Sequence, residues 1–178
     1  NTRIGVICFQ KMSLHFETEY LYIEPLTIED SMFILELVNT PGWLKFIGDR
    51  NVRNQEYAIA YINRILSNPD VAYWTVRLKT NQIAIGVITL IKRDYLPNHD
   101  IGFAFLPQYC GKGYAFEATK AVIDELSKMS FHSILQAITI KDNHSSIKLL
   151  ERTGFIFERM IKIENDELAV YEFHLPLK

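Results

Sequence analysis

The chain has 178 residues, of which 48% are hydrophobic and 22% are charged, and its formal net charge at pH 7 is −2. This composition is typical of one globular domain with a sizeable core, and the small net charge disfavours a protein that binds nucleic acid. No apolar run reaches the ~20 residues that span a membrane. The two cysteines, Cys8 and Cys110, match no disulfide or zinc spacing, so a cytoplasmic protein without a bound metal is expected.

A single domain is expected to occupy residues 18–178, because no linker, repeat or low-complexity tract divides them. Residues 1–17 precede the first clear strand pattern and are expected to be an N-terminal extension. The apolar hairpin that closes the chain is compatible with a monomer or a homodimer.

The spacing of apolar residues predicts helices and strands in a mixed order. A capping signal marks a helix start at Thr27, Pro41-Gly42 ends the first helix, a second helix begins near Asn54, and the segment from Trp43 to Arg53 is expected to be irregular. The predicted elements are a strand (21–26), a helix from 28, a helix from 54, three strands (71–78, 83–92 and 100–105), a helix (113–129), a strand (134–140), a helix (143–152) and two closing strands (155–163 and 168–175). This order predicts an α/β sandwich around a mixed central sheet of about seven strands.

The predicted strand at 100–105 runs through Pro107 into a glycine-bearing turn that opens a helix. The first N–H groups of a helix have no partner inside it and the helix dipole favours negative charge there, so such a turn can hold a phosphate. Gly111 and Gly113 would allow close approach of a ligand or a backbone φ that other residues avoid, and Lys112 adds a cation. The spacing fits neither GxxxxGK[ST] nor GxGxxG, so a generic nucleotide-binding fold is disfavoured.

Two sequence motifs carry a family resemblance. The run Gln108–Gly113, QYCGKG, matches the Q/R-x-x-G-x-G/A signature of the GCN5-related N-acetyltransferase (GNAT) superfamily. The run Asn143–Phe155, NHSSIKLLERTGF, resembles the second signature, N-x-x-[AS]-x-x-L-[YL]-E-x-x-G-F, at the expected distance downstream. Further similarity, to the branch that acetylates the N-termini of ribosomal proteins (RimJ/RimL-like), lies in residues 18–26, 46–53, 85–88 and 117–118.

The resemblance implies the GNAT fold, acetyl-CoA as the cofactor, and an amine or peptide N-terminus as the acceptor. In the family, main-chain N–H groups of the strand before the glycine turn meet the thioester carbonyl, which here corresponds to residues 103–106. Asn143 is implied as a coenzyme contact and is also expected to cap its helix. The residues that the resemblance implies at the coenzyme are Phe103, Phe105, Leu106, Gln108, Tyr109, Cys110, Gly111, Lys112, Gly113, Tyr114, Ala115, Asn143 and Ser146.

The catalytic base is expected to be Asp100, which is in line with the acidic base of the histone-acetylating branch; Asp49, Glu17 and Glu117 are the reserve candidates. Aspartate is a weak base unless burial raises its pKa. An α-amino group, with a pKa of about 7.7 to 8.0, needs less help than a lysine amine at about 10.4, so an N-terminal α-amine is favoured. A solvated carboxylate at the end of a strand is the alternative role for Asp100.

The catalytic acid is expected to be Ser146, because Leu150 stands where many GNAT enzymes carry a tyrosine that protonates the departing thiolate. A thiol has a pKa of only about 8.5, so loss of the tyrosine should lower the rate without forbidding the reaction. Cys110, beside a helix start, is a further candidate as a covalent nucleophile, although no histidine is placed by motif to activate it.

The acceptor is expected to contact Trp43, Phe46, Asp49 and Arg50, because their segment covers the acceptor site in this fold; packing on the core is the alternative. The sequence therefore predicts an acetyl-CoA-dependent N-acetyltransferase that acts on a primary amine, most simply a protein N-terminus. A small-molecule amine acetyltransferase, a non-catalytic coenzyme A-binding module and a cofactor-free interaction domain are the alternatives.

Overall fold

The structure, a computed structural model, describes residues 14–129 and 133–176. The strands are β1 (Phe16–Glu17), β2 (Leu21–Pro25), β3 (Val71–Leu78), β4 (Ala84–Ile91), β5 (Asp100–Phe105), β6 (Ile134–Ile140), β7 (Ile156–Ile163) and β8 (Asp166–His174). The helices are α1 (Ser31–Leu37), α2 (Pro41–Phe46), α3 (Gln55–Ser67), α4 (Tyr114–Lys128) and α5 (His144–Thr153). Two single 3-10 turns lie at Ile28–Asp30 and Pro107–Tyr109. None of these helices is long and apolar enough to cross a membrane.

The described strands form one mixed sheet in the order β1-β2-β3-β4-β5-β6-β8-β7. Neighbouring strands are antiparallel except for β5 and β6, which are parallel and joined through α4. The predicted α/β fold is confirmed, with eight strands in this part of the chain instead of about seven. The additional strand, Phe16–Glu17, pairs with β2 and lies inside the predicted extension, while residues 1–13 of that extension lie outside the described residues.

The prediction of an irregular segment after Trp43 was wrong in its first part, because α2 covers Pro41–Phe46. Thr40 caps this helix, its Oγ1 accepting the N–H of Trp43 at 3.4 Å, and Pro41 occupies the first turn, where its missing N–H costs nothing. Pro41 therefore starts α2, whereas α1 has already ended at Leu37. The helix predicted to begin near Asn54 is confirmed as α3, and Asn54 caps it, its Oδ1 accepting the N–H of Tyr57 at 2.9 Å.

Hydrophobic clusters lie on both faces of the sheet. Helices α4 and α5 cover one face, where Trp74, Ile88 and Leu126 are almost fully buried. Helices α1, α2 and α3 cover the other face, around Ile34 and Ile62. Burial of side chains of this size stabilises a fold by about 1.5–3 kcal/mol each, so both layers hold the sheet in place.

A buried carboxylate ties α1 to the sheet. Asp30 is 3% exposed, and its Oδ2 accepts the N–H of Thr27 at 3.1 Å and the hydroxyl of Thr75 at 2.9 Å. Its Oδ1 is ion-paired with Arg77. The capping box predicted from Thr27 and Asp30 is confirmed, and the pairing with Arg77 satisfies a charge that would otherwise be costly to bury.

Candidate active site

A cleft opens between the parallel strands β5 and β6. Within the described residues the two strands share one residue pair, Asp100 with Gln136, where the N–H of Gln136 donates to the carbonyl of His99 at 2.8 Å. Beyond that pair the described parts of the two strands share no further register pair. The cleft is therefore closed at the amino end of β5 and open at its carboxyl end.

Main-chain donors of β5 face this cleft. The N–H of Leu106 donates to the carbonyl of Ile85 at 2.9 Å, and N–H groups along a strand alternate in direction. The N–H groups of Phe103 and Phe105 therefore point away from β4 and into the cleft. Leu106 does not supply a main-chain donor there, which corrects its expected role within residues 103–106.

The glycine turn has the backbone conformation that its sequence predicts. Gly111 and Gly113 have φ values of +74° and +88°, which lie in the left-handed region that favours glycine. Apart from the adjacent residues of the chain, no atom of the described residues lies within 4 Å of where a Cβ would stand on either glycine. These glycines are required by conformation, and the space beside them is open to a ligand.

The N–H groups of the turn divide into occupied and free donors. Those of Tyr109 and Cys110 donate to the carbonyls of Leu106 and Pro107, at 2.9 and 3.2 Å, so they do not belong to a phosphate cradle. The first main-chain bond of α4 runs from Glu117 to Gly113 at 3.0 Å. The N–H groups from Gly111 to Ala115 remain as the candidate phosphate donors, a shorter set than the sequence predicted.

The turn is anchored on both sides. Gln108 donates from Nε2 to Glu36 Oε1 of α1 at 3.4 Å, so its contact with the coenzyme stays a prediction. Glu117, in the first turn of α4, accepts the N–H of Tyr20 at 3.0 Å and the hydroxyl of Thr18. This reserve candidate for the base is thus engaged in fastening the β1–β2 turn to the start of α4.

The first turn of α5 leaves the same end of the sheet as the glycine turn, because β5 and β6 are parallel. Asn143 caps α5 as predicted: its Oδ1 accepts the N–H of Ser146 at 3.2 Å and the hydroxyl of Ser145 at 3.1 Å. Ser146 is half-buried. Leu150 is 1% exposed and belongs to the core beneath the sheet, so the position of the family's tyrosine is filled by packing.

Asp100 lies at the closed end of the cleft. It is 4% exposed; its Oδ2 accepts from Nε of Arg93 at 2.6 Å and its Oδ1 accepts the N–H of Ile138 at 3.2 Å. Burial raises the pKa of Asp100 to about 6, against the opposing effects of Arg93 and the N–H of Ile138. Since Ser146 lies in the helix that leaves the open end, the structure does not bring the two predicted catalytic residues together.

Comparison with known proteins identifies the family. Residues 20–156 match the sequence model of the acetyltransferase (GNAT) domain. The chain belongs to the GNAT family. An uncharacterized N-acetyltransferase of Bacillus subtilis, YnaD, is 27% identical over 150 residues, which cover 84% of this chain and 86% of that protein.

Solved GNAT structures share the fold at low sequence identity. A ribosomal-protein-S5-alanine acetyltransferase from Vibrio fischeri superposes with a TM-score of 0.74 at 20% identity, covering 91% of this chain and 97% of that one. The microcin self-immunity acetyltransferase MccE, solved in complex with acetyl-CoA and AMP, gives a TM-score of 0.76 at 17% identity, with coverages of 88% and 93%. These structures show the shared fold, and membership of the GNAT family makes the chain an acyltransferase that uses acetyl-CoA.

The residues of this GNAT chain fit that cofactor. The open space beside Gly111 and Gly113, with free N–H groups up to Ala115, suits a diphosphate, and Phe103 and Phe105 present donors deeper in the cleft. Tyr114 opens α4 beside these glycines, and the ammonium of Lys112 lies 5.6 Å from the ring centre of Tyr109. Among residues 14–129 and 133–176, no three His, Cys, Asp or Glu side chains are grouped to hold a metal ion.

Cys110 lacks the environment of a nucleophile. Its Sγ lies 3.6 Å from the carbonyl oxygen of Leu106, and burial raises the pKa of the thiol. A nucleophilic cysteine requires the opposite shift, toward the thiolate. The geometry thus favours direct transfer to the acceptor over a covalent route through Cys110.

The predicted acceptor residues lie in α2 and in the loop that follows it. Trp43 is 5% exposed and packs in the core under α1–α3, and its Nε1 has no hydrogen-bond partner in the described chain. Phe46 is half-buried, and Asp49 and Arg50 are exposed. The guanidinium of Arg53 holds the pKa of Asp49 down to about 2, so Asp49 is too weak a base to serve in reserve. Acceptor contact by this segment stays a prediction.

Sequence reasoning missed the groups that surround Asp100. Arg93 and Ile138 reach its carboxylate from outside the predicted motifs. Tyr73, Thr89 and Gly102 are register partners across β3, β4 and β5. Gly102 lies two residues after Asp100 on β5, so the three residues lie beside Asp100 on the same face of the sheet. Burial raises the pKa of Tyr73. The sequence could have indicated this grouping through the two-residue period of strands, which places odd positions of β3 and β4 and even positions of β5 on one face of the sheet.

Proposed function

We propose that this GNAT chain transfers the acetyl group of acetyl-CoA to the α-amine at the N-terminus of a protein or peptide. The observation that carries the proposal is the Asp100 carboxylate, which is buried at the closed end of the cleft with a pKa raised to about 6. Each of its oxygens already accepts one hydrogen bond. A carboxylate oxygen has a second lone pair for a proton, so Asp100 is still able to act as a base.

The pKa of the acceptor distinguishes the two common amines of proteins, the N-terminal α-amine and the lysine side chain, as substrates. An α-ammonium group, with a pKa of about 7.7 to 8.0, lies about two units above Asp100, whereas a lysine ammonium at about 10.4 lies more than four units above it. Each unit costs about 1.4 kcal/mol of proton transfer. Asp100, directly or through a water molecule, therefore favours an α-amine over a lysine side chain.

The other requirements of acyl transfer are assigned to the cleft. The thioester supplies an activated acetyl group. The N–H groups of Phe103 and Phe105 are proposed to stabilise the negative charge that develops on the acyl oxygen, and the N–H groups of Gly111–Ala115 to hold the diphosphate. Ser146, whose N–H is fixed by the Asn143 cap, is proposed to assist the departing thiolate.

Two further observations support this setting. The Vibrio fischeri structure, of the same fold, is named for a ribosomal-protein alanine acetyltransferase, which is consistent with an N-terminal acceptor. Cys110 is an exposed free thiol, and thiols stay reduced in the cytosol, so the proposal includes a cytoplasmic location. Trp43, Phe46 and Arg50 are proposed to line the path of the acceptor.

The test is an acceptor competition. The protein is incubated with acetyl-CoA and an equimolar mixture of peptides with free N-termini, N-blocked peptides that contain lysine, polyamines and free amino acids, and the products are identified by mass spectrometry. Acetylation confined to peptide N-termini is the expected result. Acetylation of lysine side chains or of the small amines in preference to N-termini would overturn the proposal, and coenzyme A binding without thiol release would make the chain a non-catalytic binding module.

A further inference from the structure

The closed end of the cleft departs from a regular parallel ladder. In such a ladder the N–H groups of one strand bond to alternate carbonyls of the next. The N–H of Gln136 follows this pattern by donating to the carbonyl of His99 at 2.8 Å. The next N–H on that side of β6 belongs to Ile138, and a continued ladder would join it to the carbonyl of Ile101.

The side chain of Asp100 takes the place of that carbonyl. Its Oδ1 accepts the N–H of Ile138 at 3.2 Å, although Asp100 and Ile138 lie on different strands. Its Oδ2 is held by Nε of Arg93 at 2.6 Å, and Arg93 follows β4 on the far side of β5. The carboxylate thus stands between β5 and β6 at the point where they separate, and it is fixed from both sides.

The same end is braced by Gln136. Its Oε1 accepts the N–H of Asn98 at 3.2 Å and its Nε2 donates to Glu172 Oε1 at 2.8 Å. Gln136 is fully buried, so its two bonds fix where the ladder stops. The separation of the strands therefore begins at a defined residue pair.

The cleft needs this separation, since the N–H groups of Phe103 and Phe105 would otherwise pair with β6. The N–H of Ile138 is half-buried, and an N–H shielded from water is costly to leave without an acceptor; without Asp100 its nearest strand acceptor is the carbonyl of Ile101, which it would reach by closing onto β5. We propose that Asp100 is a positioning residue whose side chain replaces a strand carbonyl at Ile138 and so holds the coenzyme cleft open. This role rests on the proposed function of the cleft and is additional to proton transfer by the same carboxylate.

The replacement of Asp100 by alanine and by asparagine separates positioning from proton transfer. The carboxamide oxygen of asparagine can still accept the N–H of Ile138, although its NH2 group cannot accept from Arg93, whereas alanine can accept neither. Calorimetry with coenzyme A, which undergoes no reaction, is expected to show the dissociation constant raised about tenfold or more in Asp100→Ala and within about threefold of the parent in Asp100→Asn. Asp94→Asn, an exposed carboxylate in the preceding loop, is the matched control and is expected to bind as the parent does.

Equal coenzyme A affinity of folded Asp100→Ala and the parent would overturn the inference, as would equal losses in the alanine and asparagine variants. If Asp100→Ala does not fold, the parent protein still decides the matter through NMR. The amide signal of Ile138 is expected to shift as the Asp100 carboxylate is titrated, and an Ile138 amide that does not respond would refute the arrangement. These measurements involve no acceptor, so their outcome does not depend on whether the protein acetylates peptide N-termini.

Discussion

The ring of Phe105 occupies the space that a side chain on Gly86 would need. The two residues are register partners on β5 and β4, and a Cβ built on Gly86 would lie 2.4 Å from Cδ1 of Phe105. Contacts this close do not occur in folded proteins, so either the ring or the strand would have to move. Since the N–H of Phe105 faces the cleft, the packing of its ring also fixes one of the donors proposed to act on the thioester.

Gly86→Ala is therefore expected to weaken both the fold and coenzyme binding. We expect a loss of about 1–3 kcal/mol in the free energy of unfolding, measured by urea denaturation, with a weaker affinity for coenzyme A. Gly42→Ala is the control, because no described atom outside its chain neighbours and the backbone of its own helix lies within 4 Å of its Cβ position, and its φ is not positive. An unchanged unfolding midpoint in Gly86→Ala would show that the ring is free to move.

Gly111→Ala tests the conformation of the phosphate turn. The φ of +74° at Gly111 costs a side-chain-bearing residue about 1–2 kcal/mol, which corresponds to about a tenfold loss of affinity if the turn relaxes to another conformation. The rise in melting temperature produced by acetyl-CoA should shrink in this variant and disappear in Gly111→Glu, which adds a negative charge. A full acetyl-CoA shift in both variants would argue against a diphosphate at this turn.

The raised pKa of Asp100 predicts how stability depends on pH. The native state binds this proton more tightly than the unfolded state does, because the native pKa is about 6 and the usual value is 3.8. The contribution of Asp100 to stability is therefore fully present below about pH 4 and is lost as the pH rises through about 6, by on the order of 3 kcal/mol.

The measurement compares urea unfolding of the parent and of Asp100→Asn from about pH 4 to about pH 8. The difference in unfolding free energy, parent minus variant, should fall across this range, because other carboxylates titrate in both proteins. The pH profile of kcat/KM should also lose an inflection near pH 6 in the variant if Asp100 is the base. A difference that stays constant with pH would mean that Asp100 titrates normally.

Ser146→Ala tests the predicted acid. General acids contribute about 10²–10⁴-fold to many reactions, but a thiolate from a thiol with a pKa of about 8.5 leaves readily, so a loss of about tenfold in kcat is expected. The KM for acetyl-CoA should change little. Ser145→Ala alters the neighbouring hydroxyl, which donates to Asn143, and should retain the parental kcat. Equal rates for the two variants would remove Ser146 from the mechanism.

Local sequence patterns predicted those parts of the fold that local chemistry determines. Gly111 and Gly113 predicted a turn with left-handed φ values, and Asn143 predicted a helix start. Each of these residues affects only the backbone within a few positions of its own. Pro41-Gly42 was misinterpreted for the same reason. A proline is compatible with a helix that ends before it and with a helix that starts at it. The cap from Thr40 shows that a helix starts at Pro41.

The parts that were not predicted depend on contacts between distant residues. The bond from Ile138 to Asp100 joins residues on two strands, and the occupied N–H of Leu106 depends on the register of β4 against β5. Contacts of this kind cannot be predicted from the spacing of apolar and polar residues within either strand. Asp100 was recognised as a candidate base from the family resemblance. Its hydrogen bond with Ile138 and its position where β5 and β6 separate could be seen only in the structure.

An NMR titration of the ¹⁵N-labelled protein with coenzyme A follows each proposed phosphate donor separately. The amide signals of Gly111, Lys112, Gly113, Tyr114 and Ala115 should shift together and saturate with one dissociation constant, as expected for donors to a diphosphate. The signals of Gly42 and Gly48 should stay in place. Saturable binding that leaves the five turn amides unmoved would contradict the account.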